Sequence, residues 1–166
     1  HAGAGVAFLA ASTANLDGIG SHMGFGSIGP DKVPQKRHVA LLEDFAGMLD
    51  HMDRHAALLR PRFAAVLDAL ERELAGTGMG SWSRPRGGYF VSFDTRPGLA
   101  KEVVRLAAGA GVKLTPAGAT FPYGKDPADR NIRIAPSFPK LEEIERAMEV
   151  FVVCVKLASV RQKLAA

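Results

Sequence analysis

The sequence predicts an α/β fold in which helices cover a small sheet. Three observations carry that expectation. From about residue 80 the apolar pattern runs strand, helix, strand, strand, helix, the order of a compact layered unit. Upstream, Met52, Ala56, Leu59, Phe63, Val66, Leu67, Leu70 and Leu74 recur at intervals of three and four, the stripe of a helix that faces a core. The chain of 166 residues is 47% apolar and 23% charged, which suits about one soluble domain and excludes wholesale disorder.

Each element has its own signal. Gly5–Ala11 is a short apolar run that reads as a strand. Ser12 or Thr13 can cap a short helix through Asn15 and Leu16. Gly18–Pro30 is rich in glycine and reads as loop. Asp31 places a negative charge at the positive end of a helix running to about Leu42. The striped helix follows, stopped by Gly76 and Gly78. Pro61 lies inside it, removing one hydrogen bond and crowding the carbonyl of Ala57. The stripe keeps its phase across Pro61, so a kink is expected and not a break. Gly87–Asp94 reads as a strand led by glycines, Leu99–Ala108 as helix, and Val112–Thr115 as strand. A Pro/Gly/Asp loop covers 116–130, Asn131–Ala135 is strand, and a terminal helix carries Leu141, Ile144, Met148, Phe151, Val152 and Val155.

Charge and composition narrow the function. The formal net charge is only +4, the basic residues are interleaved with acids, and aromatics are 7%, all of which argue against a nucleic-acid-binding domain. No apolar run is long enough to span a bilayer, so no membrane partner is expected. No charged segment followed by an apolar one reads as a signal peptide. The single cysteine, Cys154, forbids an intrachain disulfide and suits a reducing, cytoplasmic setting.

Several motifs have plain alternatives. Gly24-Phe25-Gly26-Ser27-Ile28-Gly29 matches a phosphate-binding string, but no strand precedes it, so a loop is the better reading. His51 and His55 have a chelating spacing, yet Met52 stands between them and no third ligand is evident, so surface histidines are expected and no metal. Cys154 falls among apolar helix positions and reads as a buried, inert thiol. Arg84-Pro85-Arg86 reads as a solvated turn. Arg133 differs: it is the only charge in Ile132–Ser137, and on a strand it points away from Ile132 and Ile134. Its planar fork could clamp a carboxylate, and a structural ion pair fits the residues as well.

Leu114-Thr115-Pro116-Ala117-Gly118, Phe121-Pro122-Tyr123-Gly124 and Asn131-Ile132-Arg133-Ile134-Ala135-Pro136-Ser137 together resemble the C-terminal part of fold-type-I, class I/II aminotransferases dependent on pyridoxal phosphate. Gly87-Gly88-Tyr89-Phe90 is similar to the strand that opens their small domain. Ile28-Gly29-Pro30-Asp31-Lys32-Val33 and Arg37-His38-Val39 resemble the aspartate aminotransferase branch related to alanine–glyoxylate aminotransferase.

That resemblance implies three regions. Residues 1–30 would end the large cofactor-binding domain, 31–78 would form interdomain helices kinked at Pro61, and 79–166 would be the small C-terminal α/β domain. It implies amino-acid and 2-oxo-acid substrates, a homodimeric parent enzyme, and Arg133, Tyr89 and Arg37 at the substrate. It places the Schiff-base lysine before His1, so no catalytic residue is expected in this chain and pyridoxal 5'-phosphate is expected only in the parent. Val6 stands where many members carry a phosphate-binding arginine, and Pro34 where a polar residue is expected, so no cofactor ligand is assigned. The competing reading is a non-catalytic α/β module that binds a small ligand or a protein partner.

Overall fold

The computed structural model describes residues 5–165. The first residues of the chain, which the resemblance sets beside the cofactor lysine, lie outside them up to position 4. The chain divides into two compact units between Arg54 and His55.

In the first unit, helix α1 spans Thr13–Gly26 and α2 spans Lys32–Leu42. Asp31 caps α2 as its charge predicted, its Oδ1 accepting from Val33 N at 2.8 Å. Two expectations fail here. Gly5–Ala11 forms no strand, because extended backbone needs a ladder partner and none of the strands present pairs with it. The glycine-rich segment from Gly18 is helical as far as Gly26. Leu16, Ile19 and Met23 sit three and four apart there, a helical spacing that outweighs the glycines. Ser12 takes the N-cap position of α1, although its hydroxyl makes no capping bond. Neither α1 nor α2 has a buried residue.

Helix α3, Phe45–Leu74, runs unbroken through Pro61. Its stripe is only half used: Val66, Ala69, Leu70 and Leu74 are buried, whereas Met52 is exposed and Phe63 is partly covered.

The second unit holds the core. Strands β1 (Gly80–Trp82), β2 (Val91–Thr95) and β3 (Asn131–Ile134) form an antiparallel sheet in the order β1-β2-β3. Helices α4 (Ala100–Gly109) and α5 (Leu141–Leu164) pack on each other, and α4 also meets β3. Register pairs Val91 with Ile134 and Phe93 with Ile132, so one sheet face is apolar. Phe93 sits in the core, edge-on to Phe151 at 5.1 Å between centroids and stacked with Trp82 at 6.2 Å. Glu143 starts α5 by accepting from Lys140 N at 2.8 Å.

The sheet departs from expectation at three places. The expected strand Gly87–Asp94 begins only at Val91; Gly88, at φ 88°, leaves the regular extended conformation three residues before it. Val112–Thr115 joins no strand of the sheet. Val112 N closes the end of α4 on Ala107 O at 2.8 Å, and Val112 and Leu114 pack on the core. Strand β1 went unpredicted, since three residues carry little alternation. Its Gly80 is required: a Cβ there would lie 2.4 Å from Cζ of Phe93.

Candidate functional site

The sheet face opposite the core is polar. Alternation sends Ser92 and Asp94 of β2 and Asn131 and Arg133 of β3 to that side, with Ser92 facing Arg133 and Asp94 facing Asn131. Asn131 is the hub. Its Nδ2 donates to Ser92 Oγ at 2.9 Å and Asp94 Oδ1 at 2.7 Å, and its Oδ1 accepts from Thr120 Oγ1 at 2.7 Å. Both ends of its amide are thereby used, and the 116–130 loop is tied to the sheet.

Asp126 holds that loop from within. Its carboxylate accepts from the backbone N–H groups of Asn131 and Arg130, each at 2.8 Å, and of Ala128 at 3.0 Å. These bonds, that of Asn131 foremost, favour the charged form and hold its pKa below the usual aspartate value. Gly118 permits a close crossing: its φ is +87°, and a Cβ would lie 2.2 Å from Gly124 O. Beyond β3, Arg62 Nη1 donates to Ser137 O at 2.7 Å and fixes the segment that leaves the strand.

Arg133 is half-buried within this frame. Among the described residues no carboxylate pairs with it and no hydrogen bond reaches its guanidinium. The two nearest acids in sequence are engaged elsewhere: Asp126 by its own loop, and Asp129 by Lys101 N at 3.2 Å. The ring of Phe90 lies under the guanidinium, 4.5 Å from Cζ to the centroid. Nε is sealed from solvent without a partner, while the Nη atoms are not among the sealed ones. The structural ion pair is therefore absent among the described residues, and a planar cation stands open to an anion.

Of the other expected substrate residues, Tyr89 is exposed beside Phe90 in sequence, and Arg37 is exposed on α2 in the first unit. The structure thus brings Arg133 together with the Gly87–Phe90 segment through Phe90. Sequence reasoning passed over Phe90, although it shares the parity of Ser92 and Asp94 and so falls on the face of Arg133.

The Gly24–Gly29 string, expected as loop, is helical as far as Gly26 and straddles the end of α1, so it is not the strand-to-helix turn that cradles a phosphate. No group of metal-ligating side chains occurs among the described residues, His51 and His55 included. Cys154 is buried, and burial pushes its thiol pKa up, away from reactivity. Arg84 pairs with Glu71 on the surface. No helix among the described residues is long and apolar enough to cross a membrane.

A sequence profile of the aspartate amino-transferase family matches residues 1–166. The chain belongs to that family. It is 49% identical to a Mycolicibacterium smegmatis protein with an aminotransferase designation and 44% identical to the aspartate aminotransferase of Corynebacterium glutamicum, each over 158 residues. Either match covers 95% of this chain, which spans 37% of the length of those relatives. The solved structure of an aspartate transaminase from Corynebacterium glutamicum superposes with a TM-score of 0.85 at 42% identity, covering 91% of this chain and 36% of that one.

A lysine nucleophile is activated by desolvation or by neighbouring cations. Here the lysines are exposed apart from Lys156, whose Nζ lies 2.7 Å from Glu73. The open fork of Arg133 suits a planar oxyanion such as a carboxylate.

Proposed function

We propose that this chain is the C-terminal, carboxylate-binding part of an aminotransferase that moves an amino group between an amino acid, with aspartate among the donors, and a 2-oxo acid. The observation that carries this reading is Arg133, a half-buried arginine without an acid partner among the described residues, on the polar sheet face of a chain in this family. A substrate clamp must keep its fork free until the substrate arrives. Two parallel N–H···O bonds to an α-carboxylate would fix the orientation of the Cα–H bond, and such orientation supplies several kcal/mol of a barrier.

The cofactor of the parent protein is pyridoxal 5'-phosphate in this reading, held by residues other than those described. The 166 residues alone are inactive, and the parent is a cytoplasmic homodimer. Tyr89 lines the substrate side, and Lys32 or Arg37 would serve a distal carboxylate. Residues 1–30, 31–78 and 79–166 are the end of the large domain, the connecting helices and the small domain.

Two experiments test the proposal. In the full-length enzyme, Arg133→Lys should lower kcat/KM at least tenfold for every amino donor, because all share the α-carboxylate and lysine keeps the charge without the fork. A loss confined to dicarboxylic donors would move Arg133 to the distal carboxylate. Treating the 166-residue chain with pyridoxal phosphate and borohydride should label surface lysines sparsely, and one stoichiometric label at a single lysine would refute the reading that the Schiff-base lysine lies outside it.

A further inference from the structure

We propose that Phe90 is the positioning residue of Arg133: its ring fixes the plane of the guanidinium and leaves the Nη edge as the edge that takes a carboxylate. The inference rests on reading Arg133 as the carboxylate clamp. Phe90 immediately precedes β2, and its parity puts it diagonal to Arg133 on the polar face, within reach of a long side chain. It is 45% exposed and outside the core, so burial does not account for an aromatic residue there. The ring instead faces Arg133 Cζ at 4.5 Å.

Three consequences follow from that stack. One face of the guanidinium is covered, so a ligand cannot approach from that side. Nε is sealed, so a carboxylate cannot dock side-on across Nε and one Nη. Nη1 and Nη2 remain, and they can hold a carboxylate end-on in the guanidinium plane. A long arginine side chain without hydrogen bonds would otherwise sample many rotamers, and ordering it on binding would weaken affinity. The quadrupole of the ring supplies that order before the ligand arrives.

The test uses the 166-residue chain with arginine side chains labelled for NMR. L-Alanine is the carboxylate probe, and L-alaninamide, which lacks only the carboxylate, is the control. The Nε–Hε signal of Arg133 should be ring-shifted, and L-alanine but not L-alaninamide should move it. Phe90→Leu should abolish the ring shift, raise the side-chain mobility of Arg133 and weaken L-alanine binding roughly 2- to 5-fold. Phe90→Trp should keep all three properties, and an unchanged amide spectrum elsewhere shows that both variants fold. Arg133→Lys should remove the response of the Ser92 and Phe90 amides to L-alanine. If Phe90→Leu leaves the order and affinity of Arg133 unchanged while Arg133→Lys loses binding, the positioning role is overturned and the clamp stands. If L-alanine moves nothing in the wild-type chain, or Arg133→Lys binds as well, the clamp falls and the positioning role falls with it.

Discussion

Asp126 shows how one side chain orders a loop that has almost no regular structure. Its folded pKa is depressed by the backbone donors of Asn131, Arg130 and Ala128. A depressed acid contributes stability above its unfolded pKa and loses that contribution as pH falls through the folded value. The amide shifts of Arg130 and Asn131 should therefore titrate together, with a midpoint below the ordinary aspartate value of about 4. Asp126→Ala should abolish that titration and release the loop; amides that stay flat from pH 6 to pH 2 would show that another group holds it. Gly80→Ala tests packing on the same scale. The added methyl must displace the Phe93 ring, at a cost of about 1–3 kcal/mol in chemical denaturation.

Among the elements, α3 joins a propensity defect to a packed face. Pro61 is exposed and lies inside an unbroken helix. Pro61→Ala should restore the bond to the Ala57 carbonyl and raise stability, by at most about 3 kcal/mol. A fall in stability would mean that the bend expected at Pro61 serves packing. Phe63 and Phe151 make a matched pair. Phe151 is fully buried and its truncation to alanine should cost about 3–5 kcal/mol, whereas Phe63 is partly covered and should cost less. Equal losses in urea melts would show that the N-terminal half of the stripe is buried more deeply than its exposure indicates. Of the elements that sequence reasoning placed well, α2 through α5 have long apolar periods or a capping residue, and β3 shows Ile132 and Ile134 alternating with Arg133 before Pro136. Those it misplaced are short or glycine-rich: β1 carries three residues of pattern, and α1 hides a helical spacing among glycines.

For the molecule as a whole, every buried residue among those described lies at or beyond Val66, within the unit 55–166. A fragment of residues 55–166 should therefore unfold cooperatively, with a denaturation midpoint close to that of the full chain. A fragment that melts without cooperativity would show that residues before 55 complete the core. The sequence by itself determined the family, through the strings around Gly87 and Asn131, and the layered α/β class, through helical stripes long enough to specify a buried face. It also singled out Arg133, as the one charge on an apolar strand. Only the tertiary structure decided between a paired and an open Arg133, because a partner carboxylate could have come from any element folded against it. The same holds for Phe90 and Asn131: their neighbours are set by β-register, which joins residues some forty positions apart and leaves no local trace in either segment.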